Sequence, residues 1–380
     1  MATSAMALSL FLAISICTLS LVHAGKTPPP MFVFGDRFAD VGNNNYLSGA
    51  IRANYSHYGI DFPGGVATGR FSNGRIFVDF FAEYMGWEQS PRAFLSGPLS
   101  EDDIYKGLNF ASGGSGISVK CVEGDVVMCL SMEMQIDYFK QVKSFMESKL
   151  GVDAASDLIA NSIFLIITGT RDMDNFGFSN VYSSDLFDVF NKNLITAYGA
   201  HLKELYGLGA RKFALTNIPA LGKFATSRIL DFLKKLVGLD VQGILDKFAS
   251  LYDASVALMV KELSSTLPGM KYSLGNAFAI LLDMLANAEK IGVKDVTSTC
   301  CGQVKYVITP PFFKVTDCTP TARICANRGE YLWFEELNPT EVMTEYASLR
   351  YYYGNQTFSS PMNIQDLVEY ESSSGGIEAM

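Results

Sequence analysis

The residues best suited to chemistry are charged groups and glycines that follow short apolar runs. They are Asp36, Arg37, Gly113, Gly114 and Arg171. Guanidinium groups and backbone amides donate hydrogen bonds in a geometry that a carboxylate accepts, so this set is typical of an anion-binding site. The sequence has no glycine-rich phosphate loop of the GxxxxGK(S/T) kind and no Cys/His cluster with zinc spacing. We therefore expect neither a cofactor nor a metal.

The elements that must position these residues alternate between strands and helices. Short apolar runs predict strands at 31–34, 108–111, 162–167, 212–215 and 271–274, and amphipathic segments predict helices at 76–85, 132–150, 186–206, 228–265, 277–290 and 339–352. Pro339 is expected at the first position of the last helix. The alternation predicts an α/β fold with a parallel sheet covered on both faces. Its ligand crevice should lie beyond the strand ends at Phe34, Ala111 and Ile167.

The composition is that of a globular protein with a sizeable core. Of 380 residues, 48% are hydrophobic and 18% are charged. The 30 basic and 39 acidic residues give a net charge of −9 without any basic run, which argues against nucleic acid or an anionic membrane as a partner. No Pro/Ser-rich linker or internal repeat divides the chain, so we expect a single domain.

The start of the chain is typical of a secretory signal peptide. Its first 24 residues carry no charged side chain, and an apolar run ends at Val22-His23-Ala24, which predicts cleavage after Ala24. An uncleaved membrane anchor is the alternative. Residues 25–370 would then form the domain and 371–380 a flexible tail. We expect no stable membrane insertion, and a protein that is secreted or stays elsewhere in the secretory pathway, the vacuole included.

The cysteines and sequons agree with export. Six cysteines remain after residue 24, namely Cys121, Cys129, Cys300, Cys301, Cys318 and Cys325. We expect a disulfide between Cys121 and Cys129, which flank a short acidic loop, and pairing of the other four among themselves. Asn54 and Asn355 stand in glycosylation sequons.

Several blocks, in chain order, resemble the plant GDSL esterase/lipase family of the SGNH hydrolases. They are FVFGDRFADVGNNN at 32–45, YGIDFP at 58–63, GRFSNGR at 69–75, GLNFASGGSG at 107–116, ITGTRD at 167–172, LGARKF at 208–213, CCG at 300–302 and YLWFEELNPTE at 331–341. The resemblance implies a three-layer α/β/α sandwich, flavodoxin-like, with a parallel sheet. It also implies hydrolysis of acyl esters by a serine activated by a histidine, with an aspartate three residues before that histidine.

The ionisable catalytic positions of that family are all substituted in this chain. Arg37 stands at the position of the serine nucleophile, and Asn338 stands at the position of the histidine base. A guanidinium stays protonated and has no usable lone pair, and a carboxamide takes no proton near neutral pH. Glu335 replaces the orienting aspartate, and Arg171 replaces the asparagine of the oxyanion hole. Of the family's oxyanion elements a glycine remains, which we assign to Gly114.

Other residues of suitable type are expected to be structural. His57 lies in a loop, where we expect a solvated side chain or, alternatively, one at the rim of the pocket. His201 lies in a helix, where a surface or half-buried position is expected. Ser112 and Ser115 lie in the glycine-rich run, where small side chains allow a close backbone approach. We also expect Asp36, Asp40, Asn43 and Asn44 to fold their own loop through side-chain to backbone hydrogen bonds.

Two interpretations of the substituted centre remain open. In the first, Arg37 pairs with Glu335 and plugs the pocket. In the second, Arg37 and Arg171 beside the glycine amides hold a carboxylate, such as a fatty acid or an acidic metabolite, with Asp36 and Gly113 in the same site. Both predict a protein that is inactive as a serine esterase and acts as a binding or accessory protein or as a scaffold for non-hydrolytic chemistry. The alternative function is an active acyl-ester hydrolase or acyltransferase that uses a different set of residues.

Overall fold

The structure is a computed structural model that describes residues 27–180, 184–225, 227, 238, 240–306, 313–316 and 318–370. The predicted signal peptide at 1–24 and tail at 371–380 lie outside these residues. Among the residues described, no helix is both long and apolar enough to span a membrane.

A five-stranded sheet forms the centre of the fold. Its strands, in spatial order, are β1 (Met31–Gly35), β4 (Ile163–Ile167), β5 (Lys212–Thr216), β6 (Lys271–Gly275) and β11 (Ser359–Ser360). The first four pair in parallel, and β11 adds an antiparallel edge. The predicted strands begin and end within one residue of β1, β4, β5 and β6, because strands that are covered on both faces read as continuous apolar runs.

The segment 108–111 was predicted to be a strand, which is wrong, but it lies at the edge of the sheet where that strand was expected. It makes isolated parallel bridges from Asn109 to Val33 and to Ala93 and no continuous ladder. Leu108 accepts a hydrogen bond from the Val33 amide at 2.9 Å, and the Ser112 amide donates to Gly35 at 3.0 Å. The segment therefore lies beside β1, on the side opposite β4. The chain order reverses between β1 and β4, which is the switch point where α/β sheets bind ligands.

Helices flank the sheet and make the α/β sandwich that was predicted. They are α1 (Phe77–Met85), α2 (Glu101–Lys106), α3 (Met132–Leu150), α4 (Val152–Asn161), α5 (Thr170–Asn180), α6 (Ser184–Gly207), α7 (Val241–Thr266), α8 (Ala277–Asn287), α9 (Glu341–Tyr353) and α10 (Ile364–Glu369). Small strands complete the described part: β2 (Val122–Glu123), β3 (Val126–Val127), β7 (Asp295–Thr299), β8 (Gln303–Tyr306), β9 (Phe313–Thr316) and β10 (Tyr331–Trp333). Of the long helix predicted at 228–265, the structure describes α7, and most of the residues before it lie outside the described ranges.

The helix predicted at 339–352 corresponds to α9, and its predicted start is wrong by two residues. Thr340 is the N-cap of α9 and has an extended backbone, so Pro339 lies before the helix. The Thr340 amide donates to Leu332 at 2.9 Å, and its hydroxyl donates to the Tyr331 carbonyl at 2.8 Å. These bonds hold the chain against β10 up to the first turn of α9.

Candidate functional site

A cleft of about 610 Å³ opens beyond the carboxyl ends of β1 and β4. It is lined by six of the predicted site residues: Asp36, Arg37, Gly113, Gly114, Arg171 and Glu335. The predicted crevice is therefore present where the three loops meet. Asn338 does not line it. That side chain is buried, and its Oδ1 atom has no hydrogen-bond partner among the described residues.

The loop after β1 is held by its own acidic and amide side chains, as predicted. Asp40 accepts hydrogen bonds from the Gly42 and Asn43 amides at 2.7 and 2.8 Å, and from the Gly113 amide at 2.9 Å. The Asn43 side chain donates to the carbonyls of Asn109 and Ala111, and Asn44 donates to Gly113 at 2.7 Å. These bonds fasten the first loop to the glycine segment and fix the floor of the cleft.

Arg37 and Glu335 form the pair that the sequence favoured. Arg37 Nη1 lies 3.4 Å from Glu335 Oε1 and 3.8 Å from Glu336 Oε1. The guanidinium also lies over the Phe71 ring, 4.9 Å from its centroid. Burial favours the neutral form of Arg37, but the two glutamates outweigh it and raise the pKa of the guanidinium. Arg37 is therefore a charged group whose partners come from the protein itself.

Tyr58 completes the environment of Glu335. Its hydroxyl donates to Glu335 Oε2 at 2.6 Å, and both residues are buried. Burial and the neighbouring carboxylate raise the pKa of the Tyr58 hydroxyl well above its usual range, so it stays protonated and acts as a donor. Glu335 Oε1 makes no hydrogen bond among the described residues and has only the longer ion contact with Arg37.

Asp36 lies at the base of the cleft and is almost fully buried. Its Oδ1 atom accepts a hydrogen bond from the Phe38 amide at 3.0 Å. Burial raises the pKa of Asp36 from 3.8 to about 7, and the hydrogen bond and Arg37 oppose this rise only in part. Asp36 therefore changes charge near neutral pH, inside a cleft that also holds cations.

Gly114 and Gly113 differ in what their amides do. The Gly113 amide donates to Asp40, whereas the Gly114 amide has no acceptor among the described residues. Gly114 has a φ of +94°, and a Cβ atom there would have Cys129 Cβ, at 3.7 Å, as its nearest neighbour. The positive φ favours glycine, and the open space leaves the cleft side accessible to a ligand. The Gly114 amide is therefore available to a ligand in the cleft.

Arg171 lies in the first turn of α5, and its side chain is 47% exposed. Its Nη1 atom is 3.6 Å from Asp174, its nearest acidic partner in the described ranges. The next residue, Asp172, points the other way and accepts hydrogen bonds from the Ile117 and Ser118 amides at 2.7 and 2.8 Å. Asp172 thus anchors this turn to the glycine segment, while Arg171 is left facing the cleft.

The other histidines and serines do not assemble a substitute centre in the described part of the chain. His201 is buried rather than half-buried, and its Nε2 atom is 3.1 Å from the Ile117 carbonyl. His57 is half-buried rather than solvated, with its Nε2 atom buried, and it does not line the cleft. The Ser112 hydroxyl is bonded to Asn44 and to the Leu130 amide, and Ser115 accepts from Gln135. Their hydroxyls are therefore used in packing the loops.

The disulfides agree with the predicted grouping. Cys121 pairs with Cys129, Cys300 with Cys325, and Cys301 with Cys318. Cys129, Cys301 and Cys318 also line the cleft. The disulfides thus fix parts of its wall.

Several features of the cleft were missed by reasoning from sequence. Arg52, Lys120 and Glu336 line it. A second cavity of about 60 Å³, here called the tail cavity, shares Phe38, Thr170 and Leu337 with it. The adjacent Glu335-Glu336 pair was a usable signal for Glu336. Nothing in the sequence indicated that Arg52 and Lys120 line the cleft, because isolated basic residues are common on any surface.

Comparison with known proteins agrees with the geometry. A family model described as GDSL-like Lipase/Acylhydrolase matches residues 31–344. Two Arabidopsis thaliana proteins named GDSL esterase/lipase are 31% and 32% identical to this chain, covering 88% and 90% of it and 87% and 92% of their own lengths. The anther-specific proline-rich protein APG of Brassica napus is 29% identical over 83% of this chain and 69% of its own length.

Proposed function

Because the chain belongs to the GDSL-like lipase/acylhydrolase family, we propose that it is a family member whose cleft binds a small acyl or carboxylate ligand without hydrolysing an ester. The observation that carries the proposal is the Arg37–Glu335 ion pair at the position expected for the nucleophile. A cation with no lone pair cannot attack an ester carbonyl, and the two glutamates beside it keep it charged.

The missing base supports the same conclusion. Asn338 is buried directly beside the cleft, where its backbone carbonyl accepts the amide of the lining residue Glu335, and an amide side chain cannot take the proton of a nucleophile. Loss of a single member of a serine triad lowers turnover by about 10⁴-fold or more. The Gly114 amide and the Arg171 guanidinium are donors suited to holding an oxyanion or a carboxylate in place.

We also propose that the protein is exported and glycosylated. The apolar stretch before Ala24, three disulfides in the described residues and the exposed sequon residues Asn54 and Asn355 support a secreted glycoprotein. Digestion with a glycosidase, followed by a measured loss of mass, tests the two sequons. N-terminal sequencing of the mature protein tests cleavage after Ala24.

Hydrolysis of a short-chain p-nitrophenyl ester tests the function itself. We expect the wild-type mature protein to be silent and Arg37→Ser with Asn338→His to gain about 100-fold or more over that background, since a positioned base contributes about 10² to 10⁴. The matched control, Arg323→Ser with Asn161→His, makes the same changes at exposed positions and should stay silent. Turnover by wild type that a serine-directed phosphonate blocks would favour the alternative, a hydrolase or acyltransferase with a different nucleophile.

A further inference from the structure

The cleft and the tail cavity differ in chemistry although they meet at the same residues. The tail cavity is lined mainly by apolar side chains, among them Ile167 at the end of β4, Trp333 of β10, Phe224, and Ile280, Leu281 and Met284 of α8. The cleft holds the charged groups. Phe38, Thr170 and Leu337 line both, so the two spaces are adjacent, and their difference in chemistry matches a molecule with a polar head and an apolar tail.

The size of the tail cavity limits the tail. Its volume of about 60 Å³ is less than half of the roughly 150 Å³ of an engineered protein cavity that holds one benzene molecule. A few carbon atoms fill such a space, whereas a long fatty chain has to extend beyond it. The geometry therefore favours a short tail.

The cations of the cleft differ in how far their charge is already neutralised. Arg37 has Glu335 and Glu336 within 4 Å, so it is occupied. Arg171 has one acidic contact at 3.6 Å and is 47% exposed. Arg52 donates to the Leu47 carbonyl, and neither it nor Lys120 has an acidic partner within 4 Å in the described ranges. The available positive charge thus lies on Arg171 and on the rim, not on Arg37.

We propose that the cleft binds a free carboxylate with a short apolar tail, the carboxylate on the Gly114 amide and Arg171 and the tail passing Phe38 and Leu337 into the tail cavity. The inference rests on the proposed function, because an active hydrolase would turn over an ester bound here. A carboxylate is favoured over its ester because two charged oxygens match the two-pronged guanidinium, which a neutral ester carbonyl does not. Arg171 and a glycine amide thus bind the carboxylate, as in the second interpretation of the sequence, but Arg37 does not take part.

Calorimetric titration with the sodium salts of acetate, butanoate, hexanoate and octanoate, each beside its methyl ester, tests this assignment. We expect affinity to rise about fourfold for each methylene that enters the cavity and then to level off. The esters should bind at least about tenfold more weakly than the salts, since hydrogen bonds to charged groups are about twice as strong as neutral ones. Absence of binding by every salt, or equal binding of salts and esters, would overturn the assignment.

Variants separate the head from the tail. Arg171→Gln should weaken all the salts about tenfold and leave the esters unchanged, whereas the control Arg323→Gln, at an exposed position outside the cleft lining, should change neither. Ala277→Phe and, independently, Met284→Phe place bulk in the tail cavity and should abolish the gain with chain length while leaving acetate affinity as in wild type. Thermal unfolding identifies a variant that fails to fold, and the second filling variant then decides.

The two proposals fail in different ways. Release of methanol from the esters during the titration would contradict the proposed function, whatever the salts do. Silent esters with no binding of any salt would contradict only the ligand assignment. An unchanged chain-length series in a folded filling variant would contradict the tail cavity as the binding place.

Discussion

The loops that build the cleft and the residues at its centre differ in how their polar groups are satisfied. Asp40 accepts three backbone amides, and Asp172 accepts two. At the centre, Glu335 Oε1 and Asn338 Oδ1 are buried without a hydrogen-bond partner in the described part of the chain. The Gly114 amide is likewise unpaired there. The loops thus hold their shape without help from the centre, so the central residues can change while the cleft persists.

The difference predicts which substitutions damage the fold and which alter only chemistry. Buried donors that lose an acceptor cost about 1–3 kcal/mol each, whereas exposed charges cost little. Substitutions in the loops should therefore lower stability more than substitutions at the rim of the cleft.

The largest effect is expected for Asp40→Ala. The change strands three buried amides, those of Gly42, Asn43 and Gly113, and should lower the free energy of unfolding by about 5 kcal/mol. Urea unfolding followed by intrinsic fluorescence measures it. Asp40→Asn retains one acceptor oxygen and should lose less. Equal stability of Asp40→Ala and wild type would show that the loop network does not hold the cleft.

A pH dependence is expected from Asp36. Its pKa in the folded protein is raised to about 7, so the folded state binds the proton more tightly than the unfolded state does. The associated stabilisation is complete below about pH 4 and is lost as the pH rises through about 7, and it amounts to up to about 4 kcal/mol. Unfolding of wild type and Asp36→Asn across pH 4 to 8 measures it. Parallel curves for the two proteins would refute the role of Asp36.

A smaller loss is expected at the centre for Arg37→Met. Breaking a buried ion pair typically costs about 3–5 kcal/mol, but Glu335 keeps its bond from Tyr58, so we expect about 2 kcal/mol. The double variant Arg37→Met with Glu335→Gln should recover most of that loss, because no unpaired charge is left. A double-mutant cycle in thermal unfolding tests this, and additive losses would mean that the two residues do not interact.

The smallest effect is expected for Arg171→Gln. The side chain is 47% exposed and its ion contact is long, so the free energy of unfolding should change by less than about 0.5 kcal/mol. The same variant is expected to weaken carboxylate binding about tenfold. A large loss of stability with unchanged binding would place Arg171 in the loop framework instead of the ligand site.

The sequence predicts the sheet more closely than the site. Strands β1, β4, β5 and β6 are continuous apolar runs, which makes their bounds visible. The start of α9 was predicted two residues too early. A proline just before a helix and a proline at its first position leave the same sequence pattern, and only the bonds of Thr340 to β10 distinguish them. The bonds join Thr340 to Tyr331 and Leu332 of β10, and they form only when the chain folds back onto that strand. Sequence patterns do not reveal this reversal.

The centre of the site was predictable where blocks of residues mark it. Arg37, Gly114, Arg171 and Glu335 line one cleft, as those blocks implied. The tail cavity was not predictable, since its walls come from segments far apart in the chain that each look like ordinary core. The free charge on Arg52 and Lys120 depends on which acids lie near them in space, which spacing along the chain does not determine.

A centre without a serine nucleophile should not react with a fluorophosphonate, which labels activated serines. Intact-mass measurement of the purified mature protein should show no adduct on wild type and one adduct on Arg37→Ser with Asn338→His, located at residue 37. An adduct on any serine of the folded wild-type protein would show that an activated serine is present and would contradict the absence of a nucleophile.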